Sequence, residues 1–206
     1  YGKYKVWTAS WEKEKALKEI CCDLLGLCRN KDDVPYNGIL RFLGIQKTNM
    51  LGSTDSLIYS DDDPYPDDRM KKIYKMYEDY KKDKSYIEFD DFLNMANQCF
   101  DKFPDILKFY QNKYLYVLSD EFQDVSMAQS LLLKRINNKN TMIVGDPLQA
   151  IYSFRGGRSE YIMQFDQDYS DVKIVHLNTN YRCSTDIVRM ANMLGAERPP
   201  PCTNNL

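Results

Sequence analysis

Tyr114-Leu115-Tyr116-Val117-Leu118-Ser119-Asp120-Glu121-Phe122-Gln123-Asp124 is the stretch on which the fold turns. Five aromatic, branched and apolar residues run straight into two adjacent carboxylates, which predicts a buried strand over Tyr114 to Leu118 that stops at an acidic turn. A helical pattern follows from Met127 to Ile136, and a second strand is expected over Thr141 to Val144. Another helical pattern, Ser159 to Phe165, leads to a third strand over Lys173 to Leu177. Strands alternating with helices give an α/β fold with a parallel sheet. Ligands in such sheets bind at the carboxyl ends of the strands, and each of the three runs into an unusual polar motif there.

Upstream, to about Phe103, the periodicity is helical. Leu17, Ile20, Cys21, Leu24 and Leu25 form one stripe, with Ser10 as its expected N-cap. Met70, Ile73, Tyr74, Tyr77 and Tyr80 form a second. Phe89, Phe92, Leu93, Ala96 and Phe100 form a third, after a Ser85-x-x-Glu88 capping box. Between the first two lies Asp61-Asp62-Asp63-Pro64-Tyr65-Pro66-Asp67-Asp68, whose like charges and prolines predict a solvated acidic loop. It lacks the central glycine and terminal glutamate of a calcium-binding loop.

A chain of 206 residues with 43% hydrophobic composition can bury a real core in one or two domains. Its net charge of −2 makes any contact with nucleic acid a local matter. With no apolar run of membrane-spanning length, no membrane partner is expected, and the cytoplasm is the default location. Six cysteines without a Cys-x-x-Cys pair, together with a single histidine, His176, argue against zinc and for reduced thiols. The first residue, Tyr1, is not a methionine, which suggests a piece of something longer.

Carboxylates at a strand end can hold Mg²⁺ through water while a neighbour orients or deprotonates an attacking water. A bare Asp-Glu pair reads equally as a solvated strand end that caps the next helix. The second strand enters Gly145-Asp146-Pro147-Leu148-Gln149-Ala150-Ile151-Tyr152-Ser153-Phe154-Arg155-Gly156-Gly157, which sets an amide, two rings and a cation after a sharp turn. The rings of Tyr152 and Phe154, taken alone, suit core packing as well as base stacking. The third strand enters Asn178-Thr179-Asn180-Tyr181-Arg182-Cys183-Ser184, with Ser184 placed to cap a helix.

In order and spacing these three motifs resemble motifs II, III and IV of UvrD/Rep-type superfamily 1 DNA helicases. Ile87 to Leu93 resembles the segment that precedes motif II in those proteins, so the resemblance runs to about Asn192, roughly half of the chain. It implies ATP and Mg²⁺ as cofactors, with Asp120 coordinating Mg²⁺ and Glu121 acting as the base that activates water. Gln149 would sense the γ-phosphate, Tyr181 would stack on adenine, and Arg182 would reach the γ-phosphate as an arginine finger. Tyr152, Phe154 and Arg155 would face single-stranded DNA, where stacking contributes about 1–3 kcal/mol per base. Phe154 stands where a tryptophan is frequent in the family, which implies weaker stacking. Gln123 and Asp124 are left either to position the acids or to couple the motifs.

The family's phosphate-binding loop, Gly-x-x-x-x-Gly-Lys-Ser/Thr, does not occur; neither Gly2-Lys3 nor Gln46-Lys47-Thr48 has its glycines. Without that cradle the chain by itself is expected to be catalytically silent. The resemblance divides it into a helical inserted subdomain (1–110), the back part of a first RecA-like domain with a partial parallel sheet (111–176) and the start of a second (177–206). The parent would translocate on single-stranded DNA, 3′ to 5′, and act at junctions of single and double strands. Two rivals remain: a non-enzymatic DNA- or protein-binding module, and the motor part of a helicase-nuclease. Exposed edges of an incomplete sheet also raise the prospect of self-association.

Overall fold

A computed structural model describes residues 3–65, 68–137, 140–151, 157–169 and 171–197. The amino-terminal half is built on helices: α1 (Ser10–Lys18), α2 (Tyr36–Thr48), α3 (Asp68–Asp83), α4 (Phe89–Lys102) and α5 (Pro104–Lys113). Its core joins Leu17 and Ile20 to Ile39, Phe42 and Leu43 of α2 and to Met70, Ile73 and Tyr77 of α3. Two short strands that the sequence reading did not contain, β1 (Lys5–Val6) and β2 (Tyr86–Ile87), pair in parallel. They seat Trp7, which stacks on Tyr86 at 4.9 Å and Tyr77 at 5.5 Å between ring centroids.

The local expectations are corrected in several places. α1 begins at Ser10 itself, with Ala9 at the cap position and no side-chain cap. After α1 the chain runs as a π-helix over Glu19–Leu24, whose wider turn carries Leu24 off the stripe and into solvent while Ile20 and Cys21 stay buried. The residue capping α4 is Glu88, whose N–H donates to Asp91 Oδ2 at 2.7 Å; Ser85 instead takes a left-handed turn with φ 54°. Phe100 of the expected stripe on α4 is buried, but Phe89 and Phe92 are exposed and Asn97 is buried instead, its amide donating to the Leu93 and Ala128 carbonyls and so fastening α4 to the next layer. Cys22 and Cys28 form a disulfide, against the expectation of reduced thiols throughout: the π-turn and the left-handed Gly26 (φ 61°) bring their Cα atoms to 4.9 Å. In the acidic loop Asp63 is buried rather than solvated, accepting from the Ser60 N–H and pairing with Arg41. Pro66 and Asp67 of that loop lie outside the described residues.

Beneath the helical core sits a cluster of ammonium and carboxylate groups. Lys47, nearly fully buried, pairs with Glu88, with Glu78 at 3.0 Å and with Asp91 at 3.1 Å. Lys81, equally buried, reaches Asp91 at 2.7 Å and Glu78 at 3.0 Å, and Lys13 reaches Glu88 at 2.6 Å. Burial alone would raise the Glu88 carboxyl, but Lys47 and Lys81 outweigh it and hold it at about 2 against an ordinary 4.5. A carboxyl depressed by folding contributes stability that is complete above its unfolded value and is lost as pH falls through the folded one. We therefore expect the contribution of Glu88 to be intact above pH 4.5 and to disappear towards pH 2. Acid unfolding followed by Trp7 fluorescence, compared with Glu88→Gln, checks this; an unchanged profile in the variant would refute it.

The carboxyl-terminal half holds a second two-stranded parallel sheet, β3 (Val117–Ser119) and β4 (Thr141–Ile143), joined through α6 (Met127–Ile136). Val117 faces Thr141 and Ser119 faces Ile143 across it. β3 thus starts three residues later than expected, with Tyr114, Leu115 and Tyr116 exposed ahead of it, and it is not the buried strand expected: Val117 is buried but Leu118 faces solvent. α6 has the expected bounds and a capping box in which Ser126 Oγ accepts from the Gln129 N–H. The pattern at 159–165 divides into two one-turn helices, α7 (Glu160–Met163) and α8 (Phe165–Asp168). No strand forms over 173–177: Ile174, Val175 and Leu177 are exposed, and with no strand against them among the described residues the ladder that defines a strand does not close. α9 (Thr185–Glu197) follows, and the Val188 N–H donates to the Ser184 carbonyl at its start. Among the described residues no helix is long and apolar enough to cross a membrane.

Candidate functional site

β3 delivers Asp120 and Glu121 to the carboxyl edge of its sheet, where the chain turns sharply enough to force Glu121 into the left-handed region at φ 51°. Such a conformation is uncommon for a residue with a Cβ and persists only where its surroundings impose it. Here Asp120 Oδ1 accepts the Glu121 N–H at 2.9 Å, and the Phe122 N–H donates to the Val144 carbonyl at 3.0 Å. The two carboxylates are exposed at the mouth of a hollow of about 410 Å³, lined also by Ser119, Asp124, Val125, Gln129, Leu132 and Leu133.

One residue deeper, Gln123 is almost fully buried. Its Nε2 donates to Glu121 Oε2 at 2.7 Å and its Oε1 accepts from the Asp146 N–H at 3.1 Å. Gly145 belongs to the same contact, since a Cβ there would lie 2.4 Å from Gln123 Oε1 and 3.0 Å from the Phe122 nitrogen. Asp146 in turn accepts from the Leu148 N–H at 3.0 Å and from Gln149 Nε2 at 2.9 Å. The structure thus brings Asp120, Glu121 and Gln149 into one hydrogen-bonded corner between β3 and β4.

Tyr152, Phe154 and Arg155 lie outside the described residues. On the far side of them the chain returns to the same corner: Gly157 bridges Ser126, and the Arg158 N–H donates to the Val125 carbonyl at 3.2 Å. The Arg158 guanidinium donates to Asn49 Oδ1 at the end of α2, tying the motif to the helical half. Sequence reasoning missed both residues, because nothing in an Asn-Met-Leu turn or a Gly-Gly-Arg run announces a partner more than a hundred positions away. Tyr181 is 94% exposed and Arg182 is also in solvent, so neither is gathered into the corner. Their segment is shaped locally, by Asn180 Oδ1 accepting the N–H groups of Arg182 and Cys183 at 2.9 Å each.

The donors around the hollow are oxygens only, the set that suits a hard divalent cation such as Mg²⁺. Asp124 Oδ1 is buried there with no hydrogen-bond partner, leaving acceptor capacity for a ligand or its water shell. The residues present therefore fit a hydrated Mg²⁺ held through Asp120.

Comparison with known proteins shows the family. A family model described as the UvrD/REP helicase N-terminal domain matches residues 10–170, and the chain belongs to that family. Among curated relatives, YjcD of Bacillus subtilis is 31% identical over 192 residues, 89% of this chain and 24% of that protein. The ATP-dependent DNA helicase PcrA of Staphylococcus epidermidis is 36% identical over 133 residues, 62% of this chain and 18% of PcrA. DNA helicase II of Rickettsia typhi is 33% identical over 175 residues, 82% of this chain and 26% of the relative. The chain spans about a quarter or less of the length of the relatives it matches.

Proposed function

We propose that this chain is part of an ATP-driven motor that moves along single-stranded DNA, 3′ to 5′, and opens duplex at single-strand/double-strand junctions. The observation that carries the reading is the corner in which the adjacent carboxylates of β3 are hydrogen-bonded, through Gln123 and Asp146, to Gln149 after β4. Glu121 takes a proton from the attacking water, Gln149 reads the γ-phosphate, and Tyr152, Phe154 and Arg155, a few residues further on, hold the DNA strand. Asp120 holds Mg²⁺, which when bound neutralises phosphate charge. Tyr181 stacks on adenine and Arg182 meets the γ-phosphate when the cleft closes; their exposure suits residues that await a bound nucleotide. Residues 1–110 are then a helical insert, 111–176 the rear of a RecA-like domain and 177–206 the start of a second.

The chain alone does not hydrolyse ATP in this reading, because no Gly-x-x-x-x-Gly-Lys loop cradles the phosphates. The test is ATP turnover, with and without single-stranded DNA, by this chain and by the longer protein that carries it. Stimulation by DNA in the long form, with an inert short form, is the expected result. A long form that binds DNA and hydrolyses nothing would make this a binding module instead.

A further inference from the structure

We propose that Cys22 and Cys28 form an exchangeable disulfide, opened by low-molecular-weight thiols, which holds or releases one wall of a hollow beside Trp11. The proposal concerns the helical half and does not depend on the motor reading.

The two cysteines lie at a sequence separation of 6 and are both half-buried, with Asp23, Leu24 and Gly26 exposed between them. A disulfide that solvent can reach is open to attack by a thiolate from outside, whereas one sealed in a core is not. The neighbouring thiol does not compete. Cys21 is fully buried, and desolvation pushes its thiol up to about 11, so at neutral pH it offers almost no thiolate to attack the bond from within. Opening therefore takes two external monothiols. The thiolate of the first attacks one cysteine sulfur, forming a mixed disulfide and expelling the other cysteine as a thiolate, which takes up a proton. The second attacks the outer sulfur of the mixed disulfide and expels the remaining cysteine. Two monothiols are oxidised to their own disulfide, and the cysteine pair gains two electrons and two protons.

What the bond restrains is local. Ile20 and Cys21, just ahead of it, are locked in the core. Between the cysteines the Leu25 N–H donates to the Ile20 carbonyl at 3.0 Å and the Leu27 N–H to the Cys21 carbonyl at 2.8 Å. Leu25 and Leu27 pack only partly against the core, and Gly26 has the most conformational freedom to regain when the loop opens. An ion pair across the loop, Lys31 to Asp23 at 2.6 Å, stands in solvent and contributes little. Asp23 and Leu24 line a hollow of about 500 Å³ together with Trp11, Lys15 and Lys18 of α1. α1 is anchored by the buried Ala16 and Leu17. Reduction thus frees the Asp23–Leu24 wall while the α1 wall stays in place.

The test uses the longer protein, equilibrated with glutathione disulfide or with reduced glutathione. Alkylation mapped by mass spectrometry reads the thiols, and amide hydrogen exchange reads the backbone. With reduced glutathione we expect Cys22 and Cys28 to become alkylated together and Cys21 to stay protected. Exchange over residues 22–28 should then quicken by about tenfold, with α2 and α3 unchanged. Cys22→Ser combined with Cys28→Ser should exchange at the faster rate under both conditions. The proposal is overturned by a pair that reduced glutathione leaves closed, by thiols that stay free in glutathione disulfide, or by exchange over 22–28 that ignores the state of the bond. Unfolding of the helical half on reduction, or failure of the double variant to fold, overturns it as well, since the bond would then be a structural staple.

Discussion

Glu121→Gln in the longer protein is expected to lower DNA-stimulated ATP hydrolysis by about a thousandfold, within the range that loss of a positioned general base commonly costs. The substitution is nearly isosteric, and the local geometry tolerates it. Gln123 Nε2 needs an oxygen opposite it, and a glutamine at 121 can present its carbonyl oxygen there. The left-handed backbone at 121 is imposed by the Asp120 side chain and by the Val144 carbonyl, neither of which the substitution touches. What disappears is the capacity to accept a proton at neutral pH. Nucleotide affinity should therefore change little, and phosphate release measured beside nucleotide-binding stoichiometry separates the two. Turnover within tenfold of the parent would move the base to another group.

The second large effect is on stability. Lys47→Met removes a cation that Glu78, Glu88 and Asp91 share, leaving, among the described residues, Lys13 and Lys81 to balance the three carboxylates. Breaking a buried ion pair from one side costs about 3–5 kcal/mol, because the remaining charge stays desolvated. We expect a loss of that size in urea unfolding of the chain, read from the fluorescence of the buried Trp7. Combining Lys47→Met with Glu88→Gln should recover part of it, since the uncompensated charge is then smaller. A single variant within about 0.5 kcal/mol of the parent would mean that water reaches the cluster and screens it.

Much of the carboxyl-terminal layout could be read from residue order, because its cues are local. A short continuous apolar run ending near Asp120-Glu121 marks a strand and its end whatever lies around it, and α6 carries its own start signal in Ser126 and Gln129. Where the reading failed, the deciding partner lay far along the chain. Glu88 displaces Ser85 as the cap because it is drawn towards Lys47 and Lys81, and Asn97 outranks Phe89 for burial because Ala128 offers it a carbonyl. The 173–177 segment has strand-like composition, but composition supplies no neighbouring ladder. Gln123 was visible as a motif residue, yet its pairing with Asp146 depends on the register of β3 against β4, which no single strand reveals.

The seating of Trp7 bears on how the protein is made. Its stacking partners Tyr77, Tyr80 and Tyr86 are synthesised long after it, and β1 cannot pair until β2 has left the ribosome. At ~5–20 residues per second the tryptophan waits several seconds in a nascent chain whose core is not yet complete. Trp7 is thus made early and among the last of its core to settle, and a chaperone binding exposed aromatic segments would meet the chain there.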